Sequence, residues 1–132
     1  QTYPDVVQGL QLLKDNGFRL ITLTNSPASA LQQQLNNSQI THYFEQALSI
    51  DEIAKYKPAQ ETYLWAATKL AVQPQQMLMI AAHGWDIAGA AHAGLATAFI
   101  SREGQSIYTL AAAPTFIAAD ILTIAKQLVA AY

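Results

Sequence analysis

The chain has 132 residues, with seven Lys+Arg against nine Asp+Glu and a formal net charge of −2, a length that suits one domain. Its 52% hydrophobic and 12% charged content excludes a disordered chain, and with no Lys/Arg cluster a nucleic-acid partner is not expected. Zero cysteines exclude disulfides, thiolate zinc sites and a Cys nucleophile, and fit a reducing, cytoplasmic compartment; no apolar run approaches the ~18–20 residues of a membrane span and no signal peptide is visible, so no membrane partner is expected either.

The chain starts at Gln1 directly before Tyr3-Pro4-Asp5, which raises the expectation of a fragment. Pro4 opens a helical pattern with Val6, Val7, Leu10, Leu12 and Leu13 apolar, stopped by Asn16-Gly17. Residues 19–24, Arg-Leu-Ile-Thr-Leu-Thr, read as a buried strand. Asn25-Ser26-Pro27 reads as a turn and N-cap before a helix over 28–37. A weaker extended segment runs from Phe44 to Ile50, and Asp51 caps a short helix that must stop near Lys57-Pro58. Gln60 to Leu70 is an amphipathic helix with Tyr63, Leu64, Ala67 and Leu70 on one face.

Residues 77–82 are a second strand, followed by the loop His83-Gly84-Trp85, then Asp86 and a small-residue helix ending at Gly94. Ala96 to Ser101 is a third strand, Glu103-Gly104-Gln105 a turn, and Thr115 to Ala119 a last strand-like piece before Asp120 and a closing helix. No linker, repeat or domain boundary interrupts this order. Alternation of apolar runs with amphipathic stretches predicts an α/β fold with a parallel sheet, and the 24 alanines suggest close helix–sheet packing.

In open parallel sheets, ligands bind outside the carboxyl ends of the strands. Thr24-Asn25-Ser26, Lys57, and His83 to Asp86 fall at such ends, and a hydroxyl, an amide, a cation and a carboxylate beside a helix N-terminus make an anion site. Each also has a structural reading: a cap for Thr24-Asn25-Ser26, a solvated surface group for Lys57, a helix cap for Asp86.

The arrangement resembles the haloacid dehalogenase (HAD) superfamily of hydrolases. Its second motif is matched by Leu-Ile-Thr-Leu-Thr24-Asn25-Ser26 and its third by Lys55-Tyr56-Lys57-Pro58 with Tyr63 beyond. Its fourth is matched by Met79-Ile80-Ala81-Ala82-His83-Gly84-Trp85-Asp86. The resemblance implies the C-terminal part of a HAD-like Rossmannoid core over residues 1–132. HAD phosphatases carry a pair of acidic residues in the fourth motif to hold Mg²⁺, whereas Ala82 stands at the first of these positions and a methyl group ligates no hard cation. The chain therefore looks most like L-2-haloacid dehalogenase, which uses no metal. Mg²⁺ enters only under the alternative of a phosphatase with an atypical fourth motif.

By this resemblance, a carboxylate nucleophile attacks the halogen-bearing carbon of a small 2-haloacid, and water hydrolyses the ester. Thr24 and Asn25 would bind the substrate carboxylate, and Lys57 would hold the nucleophile ionised. Asp86 would orient or activate the hydrolytic water, and Tyr63 and Trp85 would shape or line the site. His83 would replace an amide hydrogen bond and add pH sensitivity near an imidazole's ~6.5, or merely close the loop. His42 and His92 fall outside the motifs and are expected at the surface, and no His pair has zinc-ligand spacing.

The first HAD motif, a hydrophobic strand ending in Asp-x-x-Gly-Thr, is matched by none of Asp5, Asp15, Asp51, Asp86 or Asp120. In the family that strand and a helical cap lie upstream, with the strand between those corresponding to 19–24 and 77–82. Its removal would leave unpaired edges and an apolar seam. The chain alone is therefore expected to be inactive, and either unstable or completed by a separate N-terminal piece; a homodimer is compatible with the resemblance. If the natural protein lacks the nucleophile, a noncatalytic HAD-like binding module becomes the reading.

Overall fold

The first helix, α1 (Pro4–Asp15), opens where the fixed φ of proline suits a first helical turn. A computed structural model describes residues 4–24, 28–49, 57, 59–101 and 114–132. Strand β1 (Ile21–Thr24), helix α2 (Ala28–Ser38) and strand β2 (Gln46–Ser49) follow, then α3 (Gln60–Leu70), β3 (Leu78–Ala81), α4 (Gly84–His92), β4 (Ala96–Ile100), β5 (Phe116–Ala118) and α5 (Ile121–Ala131). The order is that of an α/β fold with parallel strands and flanking helices, as expected. The predicted turns at 25–27 and 103–105 and the short helix capped by Asp51 lie outside the described residues.

The elements fall into two compact units. In the first, β1 and β2 pair in parallel with Ile21 opposite Gln46 and Thr24 opposite Ser49. Helices α1 and α5 pack together through Leu10, Leu13, Ile124, Ala125 and Leu128, all buried. Their close approach depends on Gly9, where an added Cβ would lie 3.0 Å from both Ile121 Cγ2 and the Ile121 carbonyl oxygen. Two carboxylates satisfy the first backbone donors of α5. Asp120 Oδ1 accepts from the Thr123 N–H at 2.7 Å, and Asp5 Oδ2 from the Ile121 N–H at 3.4 Å.

In the second unit, β4 lies between β3 and β5, both parallel to it. Residues 97–100 are buried, as a strand paired on both sides and covered on its faces should be. The four residues of β3 are only half-buried, because β3 has one strand neighbour among the described residues. Helix α4 packs on β3 and β4 through Ile87 and Ala90, and α3 packs on α4.

Three local expectations need correction. Leu64 is 36% exposed; the buried face of α3 is Thr62, Tyr63, Ala66, Ala67 and Leu70, because at 100° per residue position 64 rotates away from the 63/67/70 stripe. Strand β1 begins at Ile21 instead of residue 19, since Arg19 is exposed and its guanidinium pairs with Glu45 at 2.7 Å. The predicted loop His83-Gly84-Trp85 is shorter, because α4 begins at Gly84 and takes Trp85 and Asp86 into its first turn.

Gly9→Ala gains roughly 1 kcal/mol of helix propensity but forces its methyl against backbone. We expect a net loss of about 1–3 kcal/mol in a urea melt, the usual cost of overpacking. A neutral or stabilising result would show that α1 and α5 can separate without penalty.

Candidate functional site

At the carboxyl end of β3, Ala82 and His83 carry the chain into α4. His83 is the N-cap, with extended backbone at φ −119°, ψ 131°. Its carbonyl accepts the N–H groups of Asp86 and Ile87 at 3.1 and 3.2 Å. This tight strand-to-helix turn puts Asp86 in the first turn of α4, where the positive end of the helix dipole favours a carboxylate. Asp86 is not the cap, and its side chain is free to serve other groups.

Both oxygens of that carboxylate are engaged. Oδ2 accepts from Lys57 Nζ at 2.8 Å and Oδ1 from the Tyr63 hydroxyl at 2.5 Å. The ion pair is buried, with Lys57 and Asp86 side chains 9% and 7% exposed. Two desolvated charges persist only with good geometry and further hydrogen bonds, which Tyr63 supplies. Tyr63 is fully buried on the inner face of α3, so it shapes the site through Asp86. Burial first, and then the bond to Asp86, push its phenol far above the ordinary value; it stays protonated and donates. Lys57 is therefore not the solvated surface group of the alternative reading.

Trp85, half-buried, belongs to the same first turn of α4. Lys57 Nζ lies 5.8 Å from the centroid of its ring. The His83 imidazole stacks on Trp85 at 5.7 Å between centroids and 29° between planes, and His83 is exposed. Lys57, Tyr63, His83, Trp85 and Asp86 thus form one cluster in the second unit.

Thr24 belongs to the first unit, where it closes β1. Opposite it in the ladder stands Ser49, 6% exposed and closing β2. Ser49 is a hydroxyl that sequence reasoning missed; the available signal was the one used for Thr24, a polar residue ending an extended segment. Asn25, Ser26, Tyr56 and Pro58 lie outside the described residues. His42 and His92 are exposed as expected; His42 stacks on Tyr43, and His92 ends α4 at the pole opposite Asp86.

A divalent cation at this turn would need oxygen donors. Ala81 and Ala82 offer methyl groups, and Asp86 already holds a cation and a hydroxyl proton. The donor set at this turn does not fit a magnesium site.

The haloacid dehalogenase-like hydrolase family model matches residues 1–94. Among curated relatives, the chain is 32% identical over 103 residues to (S)-2-haloacid dehalogenase 4A of Burkholderia cepacia, covering 78% of this chain and 45% of the relative. It spans about half the length of the curated relatives it matches. Its fold superposes on the crystal structure of an L-2-haloacid dehalogenase with a TM-score of 0.91 at 28% identity, covering 96% of this chain and 56% of the other. It also superposes on a predicted phosphoglycolate phosphatase from Haemophilus somnus with a TM-score of 0.81 at 27% identity, covering 97% and 57%. With the family model spanning most of its length, the chain belongs to the haloacid dehalogenase-like hydrolases.

Proposed function

We propose that the protein hydrolyses the carbon–halogen bond of short 2-haloalkanoic acids, giving the 2-hydroxy acid and halide. The observation that carries this reading is the buried Lys57–Asp86–Tyr63 unit at the carboxyl end of β3, in a chain similar to (S)-2-haloacid dehalogenases. An aspartate carboxylate displaces halide from C2 and forms an ester. Water then attacks the ester carbonyl, releases the 2-hydroxy acid and regenerates the carboxylate, so one halide and one proton leave per turnover. The attacking aspartate is assigned to a residue outside the motifs of this chain, since none of its five aspartates has the required context.

Asp86, held by its ion pair with Lys57, orients or activates the hydrolytic water. Lys57 carries its charge beside Trp85 and balances negative charge on the nucleophile. Tyr63 fixes the Asp86 carboxylate, while Thr24 and Asn25 receive the substrate carboxylate. The second reading, phosphatase chemistry, draws on the structural likeness to a phosphatase, and the poor donor set for magnesium weighs against it. The third, a noncatalytic binding module, applies if the complete protein has no attacking aspartate.

Halide release from L-2-chloropropionate by the complete protein, unchanged by EDTA, is the expected result. Magnesium-dependent release of phosphate from p-nitrophenyl phosphate would reverse the ranking, and turnover of neither would favour the binding module.

Asp86→Asn should lower kcat by about 10²–10⁴-fold, the range of a lost general base. Tyr63→Phe removes a hydrogen bond to a charged group and should cost about 2 kcal/mol in a urea melt. The sign of its pH dependence follows from the raised phenol. The folded protein keeps the Tyr63 proton while an unfolded tyrosine loses it above about pH 10. Stability present below that pH is therefore lost as pH rises beyond it. Tyr63→Phe should show a shallower alkaline decline than the parent; parallel declines would show that Tyr63 is not held as described.

A further inference from the structure

The geometry points to His83 as the cationic group that receives a small carboxylate anion at this site, an assignment that rests on the 2-haloacid reading above. The charge of Lys57 is met by Asp86 at 2.8 Å, and Tyr63 keeps its proton. The buried unit is therefore neutral overall, and an incoming anion needs charge from elsewhere. His83 stands at its edge, exposed, on the turn between β3 and α4.

Three features make it more than a surface histidine. Its ring is stacked on Trp85, which fixes its plane. As N-cap residue it forms no side-chain cap bond, and among the described residues its ring nitrogens have no hydrogen-bond partner, so both remain for a solute. The negative face of the Trp85 ring and the N-terminal pole of α4 add, respectively, support for an imidazolium and for the anion it would hold. Among the described residues, the ionisable groups of the same cluster are Lys57, Asp86 and Tyr63. Lys57 and Asp86 pair with each other and Tyr63 is uncharged, so within this cluster His83 is the group left to supply positive charge to an anion.

An anion prefers an imidazolium to a neutral imidazole, so its binding tightens towards acid pH. In the complete protein, KM for L-2-chloropropionate, which stays ionised throughout, should fall about fivefold between pH 8 and pH 5.5, as expected for one partly exposed charge-assisted hydrogen bond. His83→Asn should abolish that change, and His83→Lys should give a low KM across the range.

A second measurement does not depend on turnover. In the unsubstituted protein, acetate should raise the midpoint of the His83 ring signals in an NMR titration and leave those of His42 and His92 in place. A shift at His83 without halide release would uphold the anion site and overturn the dehalogenase reading. Halide release with an unmoved His83 midpoint, or with the same KM profile in His83→Asn, would overturn the assignment. Absence of both would overturn both.

Discussion

The ion pair between Lys57 and Asp86 is the constraint around which the second unit is arranged. Burying two charges costs several kcal/mol per ion, and their attraction offsets that only if the remaining donors and acceptors are matched. The match here comes from three places at once. The turn after β3 sets Asp86 into the first turn of α4, α3 aims the Tyr63 hydroxyl at Oδ1, and Lys57 closes on Oδ2. Loss of Asp86 would take a partner from both Lys57 and Tyr63, so the unit behaves as one object.

The small side chains of the second unit serve that arrangement. Ala66, Ala67 and Ala90 are buried, and their small side chains let helices and sheet approach closely. Low local polarisability strengthens the attraction within the ion pair, just as it raises the cost of a broken one. Strand β4, paired on both sides, supplies the floor, and the cluster of Asp86, Trp85 and His83 lies on the turn that follows β3. The half-buried state of β1 and β3 has a simple cause in their pairing, since each has a single strand neighbour among the described residues.

Trp85 divides the cluster by exposure. On the buried side Lys57 approaches its ring, while the exposed His83 stacks on it. A buried ion pair and an exposed imidazole thus meet at one aromatic ring.

Much of this was legible in the residues. Pro4, the Asn16-Gly17 stop, the Asp120 cap and apolar spacing over Gln60–Leu70 mark helix limits because each acts within a turn or two of chain. Gly17, at φ +84°, is a local necessity of the α1 terminus. Less legible was an end beside a non-local contact: β1 starts at Ile21, with Arg19 outside it and paired to Glu45.

Motif order alone led to the dehalogenase-like family and to Lys57, Tyr63, His83, Trp85 and Asp86 as residues of interest. Their partners were another matter. That Lys57 meets Asp86 across 29 positions, and that Tyr63 is buried beneath that carboxylate instead of lining an open site, depends on packing between elements. Local sequence determines helix, strand and turn because those bonds close within a few residues. Which charges neutralise each other is a long-range choice, made only when tertiary packing removes water from between them.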